Sequence, residues 1–178
     1  MDNLNISRRT LGVGLAGAAV VASMGDAANA AMAAGGNWMD MVKAHHGMIV
    51  EQFDTVIAAP VAGRMPALKK LGYLLTAHSV AEENVLYPAI AAHGMAAQSD
   101  KLYIDQAHAK VGNAMLDMNP SAPDFTDKVR ALKTAVLQHA KGDEEGDQFP
   151  NLMQTASAAE NARMTKMYKM QFDSVKPA

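Results

Sequence analysis

The sequence predicts an all-α fold, an up-down-up-down four-helix bundle with an extra C-terminal helical segment. Three observations carry this expectation. The residues are 49% hydrophobic but only 5% aromatic, with 14 Met and abundant Ala, a composition that favours helix over sheet. Four long stretches lie between clear breakers. The links between them run to about four to six residues, which for long helices means antiparallel neighbours.

The first helix is expected from about Asn37 to Ala59, stopped by Pro60-Val61-Ala62-Gly63. The second is expected to begin near Pro66, a good first-turn residue, and to end near His93-Gly94. Within it Leu68, Leu71, Leu75, Val85 and Leu86 recur at helical spacing. The third should start after the N-cap pair Ser99-Asp100 and end before Pro120. The fourth is introduced by Ser121-Ala122-Pro123-Asp124 and reaches at least Gly142. Past Phe149-Pro150 the chain reads as helical again, as a continuation of helix four after a kink at Pro150. Leu152, Met153, Met164, Met167 and Met170 are there to pack on the bundle. The Met-rich seams read as core filler rather than a copper site, because no tight Met cluster stands apart from the helical faces.

Residues 1–30 read as an export address and 31–178 as the bundle. Ser7-Arg8-Arg9-Thr10-Leu11 precedes an apolar stretch from Leu11 to about Met24, and Ala28-Asn29-Ala30 supplies a small-x-small cleavage pattern. The paired arginines resemble a twin-arginine signal, although Leu11-Gly12 stands where that pattern favours Phe-Leu. The apolar stretch is shorter than the roughly 18 to 20 residues that span a bilayer. A periplasmic protein with no membrane span after cleavage is the expectation. The net charge is −2, from 16 basic and 18 acidic residues, and no basic patch stands out, so nucleic acid is not an expected partner. Cysteine is absent, which excludes disulfides and thiolate sites and leaves nitrogen and oxygen as metal donors.

The informative feature is an internal echo. The run from His78 through Glu82-Glu83 to Tyr87-Pro88 recurs as His139 through Glu144-Glu145 to Phe149-Pro150, the two histidines standing 61 residues apart. Each is preceded by a histidine on the helix before: His46 lies 32 residues ahead of His78, and His108 lies 31 ahead of His139. Residues i and i+4 share a helix face, so His78 and Glu82 project together. Antiparallel helices then gather imidazoles and carboxylates at one depth, where burial without a cation would cost several kcal/mol. Imidazole with carboxylate suits iron, manganese or zinc, and two carboxylates able to bridge favour a pair of ions.

Two places leave alternatives. His139 and Glu144 are five apart, and Asp143 holds the regular i+4 position. Gly142 and Gly146 would ease a one-residue π-bulge that brings Glu144 inward, and Glu144 is the reading taken. His45 and His46 point about 100° apart, so only one faces the core squarely; His46 is preferred. Glu83 and Glu145 read as solvated or outer residues, His93 as a partner of a helix C-terminus, and Tyr87 and Phe149 as packing near the site.

At these residues the chain resembles the hemerythrin-like, or HHE cation-binding, family, from Trp38 to about Leu152, most strongly at Ala44-His45-His46 and the two echoed runs. The resemblance implies a non-haem di-iron centre inside the bundle. By matching, His46, His78, His108 and His139 would be terminal ligands, and Glu82 and Glu144 would bridge. It implies binding of O₂, nitric oxide or peroxide, with binding preferred over an oxidoreductase activity or metal sequestration. The second histidine that oxygen carriers place on helix three is lacking, since Ile104 and Gly112 flank His108 by four residues.

Overall fold

The computed structural model describes residues 36–177; the export segment expected over 1–30 lies outside the described residues. Helix α1, Trp38–Ala58, opens on a capping box in which Asn37 accepts from the Asp40 amide and Asp40 accepts from that of Asn37. Ala59 and Pro60 are extended and break the chain, and α2, Val61–Ala81, follows at once. The expected start near Pro66 is thus corrected. Pro60 provides the extended cap, and Pro66 sits inside the helix.

From α2 the backbone runs without interruption through a π-helical turn, Glu82–Leu86, into α3, Tyr87–Ala92. Gly94, at φ 86, makes the reversal. Helix α4, Ala96–Met118, begins immediately afterwards, ahead of the expected Ser99-Asp100 cap. Ser99 instead donates its hydroxyl to the Tyr87 carbonyl at 2.9 Å, pinning α4 to α3. After Pro120 comes α5, Phe125–Leu137, which passes into a long π-helical stretch, Gln138–Gln148, and then α6, Phe149–Thr155. Both π segments end at an aromatic-Pro step. Proline has no amide to give the regular ladder, so the changed pitch resolves there.

The expected continuation past Pro150 stops at Thr155. A separate helix, α7, Ala158–Ser174, starts at a Ser157/Glu160 capping box and folds back. It lies along α1, α2 and the first π turn, outside the ring formed by α1, α2, α4 and α5. Met164, Tyr168 and Phe172 are its buried face, whereas Met167 and Met170 are exposed, contrary to expectation. Trp38 ties α1 to it: the indole donates to Asn161 Oδ1 at 2.8 Å and the Trp38 amide to Thr165 Oγ1 at 3.1 Å.

The core has two apolar layers. One gathers Trp38, Val42, Leu86, Ile90, Leu102, Phe149 and Tyr168; the other Ile49, Phe53, Leu68, Leu71, Phe125 and Val129. Between these layers each rod carries buried polar residues: His45 and His46, then His78, Ser79 and Glu82, then Gln106, then His139 and Glu144. A polar slab therefore crosses the bundle between two oily plugs. The described residues are helical with no strand, and no helix among them is long and apolar enough to cross a membrane.

Candidate metal centre

His78 and Glu82 stand one turn apart where α2 meets the first π turn, and His78 Nε2 lies 3.0 Å from Glu82 Oε2. Five residues separate His139 from Glu144, which on a regular helix would set them about 140° apart. The second π stretch removes that angle. Glu144 is fully buried with Oε1 3.2 Å from His139 Nε2, while Asp143 turns outward to Lys101 at 2.6 Å. Gly146 permits the pitch: a Cβ there would sit 2.9 Å from the Lys141 carbonyl oxygen, a backbone atom that has no easy escape.

The donor atoms form two nests joined by Glu144. In the first, His46 Nε2 lies 3.1 Å from both His78 Nε2 and Glu144 Oε2. In the second, Glu144 Oε1 meets His139 Nε2 and the Tyr87 hydroxyl, which donates to it at 2.7 Å. One ligand atom each from His46, His78, Glu82 and Glu144 falls within 4.8 Å of the others. Protein hydrogen bonding does not exhaust this cluster. Glu82 Oε1 and Glu144 Oε2 are buried without a hydrogen-bond partner. Two imidazole nitrogens facing each other at 3.1 Å are a poor pairing unless one carries a proton, and a good one around a cation. The residues present therefore fit a metal centre.

Electrostatics point the same way. Burial and the neighbouring Glu144 push Glu82 well above the usual carboxylate range. Burial also disfavours charge on His46, but the adjoining carboxylates of Glu144 and Glu145 outweigh it and raise that imidazole to about 9. His78 is pushed well down, by burial and then by His46. Three imidazoles and two carboxylates thus share a buried slab that disfavours charge on Glu82 and His78, and a cation is what such a donor set stabilises.

Behind each inward imidazole stands a group that can fix it. Glu145 Oε1 is 2.6 Å from His46 Nδ1, and Lys141 holds the same oxygen at 2.5 Å. Asp105 Oδ2 is 3.5 Å from His139 Nδ1. His78 Nδ1 lies 3.2 Å from the Tyr168 hydroxyl, which is also 3.0 Å from His45 Nδ1. His45 stacks on Phe172 with ring centres 3.7 Å apart. Burial, and then His78 and His46, push it down to about 3, so it is neutral. Both histidines of α1 are thus buried, because α7 covers the second direction.

Of the expected ligands, the structure gathers His46, His78, Glu82, His139 and Glu144. It does not gather His108. That side chain is exposed at the outer part of a cavity of about 240 Å³ that reaches His46, His78 and His139. The buried stripe of α4 passes through Leu102, Gln106 and Ala109, and Gln106, two residues before His108, takes the central position. Its amide donates to Glu82 Oε2 at 2.6 Å and to the Tyr87 oxygen at 2.9 Å, with its own oxygen taken by Ser79. His93 pairs with Glu160 at 3.5 Å. Gln106 and Tyr168 are the residues that sequence reasoning missed, and neither had a signal. Glu145, read as a solvated or outer residue, stands behind His46.

The geometry accords with the comparisons. Residues 39–169 match the hemerythrin HHE cation binding domain. A DNA nickase from Nostoc sp. (strain PCC 7120 / SAG 25.82 / UTEX 2576) is 32% identical over 96 residues, a stretch that is 53% of this chain and 27% of that protein. The chain thus covers about a quarter of that relative's length. No solved structure matches. With the family's domain extending over most of the chain and its His/Glu cluster assembled at the centre of the bundle, the protein belongs to the hemerythrin HHE cation-binding domain family.

Proposed function

We propose that this is a non-haem di-iron protein that binds O₂, nitric oxide or peroxide in the periplasm, after export by the twin-arginine route. The observation that carries the reading is the pair of donor nests spanned by Glu144, with His46 on one oxygen and His139 on the other. A carboxylate so placed is suited to bridge two ions. His46, His78, Glu82, His139 and Glu144 would hold them; His108 leaves the set. Bound there, iron would supply a redox-active centre that accepts small diatomic or peroxide ligands.

The chain's own contribution is to place and protect. Glu145 and Tyr168 orient His46 and His78 from behind, which keeps their inward nitrogens aimed at the centre. The apolar layers on either side exclude water. The cavity beside the nests is lined by Ile49, Leu75 and Val136 as well as by the histidines, a size and polarity suited to a ligand of a few atoms. Such a cavity beside a buried cluster does not suit a DNA strand, and the nicking activity of the relative is not carried over.

Metal analysis of the natively purified protein is the deciding measurement. Two irons per chain, and an absorption change on exposing the ferrous protein to air, support the reading. Reversal on deoxygenation marks a carrier. Decay with consumption of peroxide or nitric oxide marks an oxidoreductase. A colourless protein holding zinc alone would overturn the iron assignment.

A further inference from the structure

We propose that the phenol oxygen of Tyr87 is itself a metal donor, standing where α4 supplies no imidazole. This rests on the di-metal reading above and deepens it. Tyr87 Oη, His139 Nε2 and Glu144 Oε1 form a closed triangle with sides of 2.7, 3.2 and 3.2 Å. Metal–ligand bonds of about 2 Å at right angles leave neighbouring donors about 3 Å apart. The triangle therefore has the dimensions of one face of a coordination octahedron.

Hydrogen bonding alone accounts poorly for the same atoms. The hydroxyl has one proton, yet Glu144 Oε1, Glu82 Oε2 at 3.3 Å and His139 Nε2 all stand within reach of it. Gln106 serves Glu82 Oε2 and the phenol oxygen, so the phenolic proton is left to Glu144 Oε1 or His139 Nε2, and a cation among these donors satisfies all of them at once. The side chain is also preset. Ser99 holds the Tyr87 carbonyl, the ring packs edge-on against Tyr103 at 5.0 Å, and Gln106 donates an N–H to the phenol oxygen. A donated N–H stabilises negative charge on that oxygen. On binding, one oxygen–metal bond forms and the phenolic proton leaves to solvent. A phenolate is a hard, anionic donor, so this nest would favour ferric over ferrous iron.

The test loads the full chain with ferrous iron, oxidises it in air, and measures iron per chain, visible absorption and resonance Raman scattering. The expected result is a visible charge-transfer band whose excitation enhances tyrosine ring vibrations. Tyr87→Phe loses that band at least tenfold and keeps at least one iron per chain, whereas Tyr73→Phe and Tyr103→Phe keep the band. Ring-deuterated tyrosine in the unsubstituted protein shifts the vibrations, a readout that needs no variant to fold. Iron bound without tyrosine modes, or a band that survives Tyr87→Phe, overturns the proposal and leaves the di-iron reading standing. Failure of the unsubstituted chain to bind iron at all overturns both.

Discussion

The two halves of the internal echo reach one chemical outcome with different backbones. In the first, His78 and Glu82 are four residues apart and meet across an ordinary turn, with the π segment beginning only at Glu82. In the second, His139 and Glu144 are five apart and meet only because Gln138–Gln148 is π-helical throughout. The side-chain set is preserved and the pitch is adjusted to it. A π-helix wastes packing and weakens hydrogen-bond geometry, so an eleven-residue stretch signals that the position of Glu144 matters more than local stability.

That comparison is broken most severely at the carboxylates. Glu82→Ala and Glu144→Ala each leave buried imidazoles without the anions that face them, and both are expected to lose most bound iron. Their echoed or adjacent acids, Glu83 and Asp143, are paired with Lys110 and Lys101 at the surface, each at 2.6 Å. Glu83→Ala and Asp143→Ala should keep two irons per chain by metal analysis. Equal losses across all four variants would mean that the two backbones do not select the inward acid as described.

A smaller effect is expected behind the first nest, which differs from the second in being backed by α7. The Tyr168 hydroxyl can accept from His78 Nδ1 and donate to His45 Nδ1, an order that leaves the lone pair of His78 Nε2 facing the cluster. Tyr168→Phe removes both bonds and retains the ring. Loss of such an orienting partner costs 10- to 100-fold in metal affinity by order of magnitude, and competition with a chelator would measure it. A change below twofold would reduce α7 to a cover.

The π stretch itself can be tested at its glycines. Gly146→Ala drives a Cβ to 2.9 Å from the Lys141 carbonyl, and overpacking of this kind costs about 1–3 kcal/mol in thermal or denaturant unfolding. Gly142→Ala meets only the side chain of Gln138, which can swing away, and gains about 1 kcal/mol of helix propensity, so it should be near neutral. If the two alanines behave alike, the pitch is not what Gly146 protects.

Much of this was legible before any coordinates. The echo located the histidines and glutamates because metal ligands cannot drift in type, and Gly142 with Gly146 forecast the π distortion that selects Glu144 over Asp143. Helix α4 was misread for a physical reason. Its buried stripe is Ser99, Leu102, Gln106, Ala109, Asn113 and Leu116, mostly small or polar, while Ile104, Val111 and Met115 are exposed. The apolar residues thus do not mark the inward face, and the spacing of the echo alone placed His108 among the ligands. The extra C-terminal helix was expected, but its separation from helix four was not, because the break at Ala156-Ser157 carries only the S-x-x-E capping signature, whereas Pro150 looked like a kink. Tyr168 and its contacts went with it.

The smallest expected effect falls on that misread residue. His108 lies about 200° around α4 from Gln106, so no small adjustment of the helix turns it inward. His108→Ala is expected to keep two irons per chain and to alter stability by less than about 0.5 kcal/mol, as exposed substitutions do. Gln106→Ala, by contrast, strips two hydrogen bonds from Glu82 and Tyr87 and should loosen the second nest. Loss of one iron in His108→Ala with Gln106→Ala unaffected would require α4 to sit rotated in the metal-bound protein. The two halves would then be symmetric in their ligands after all.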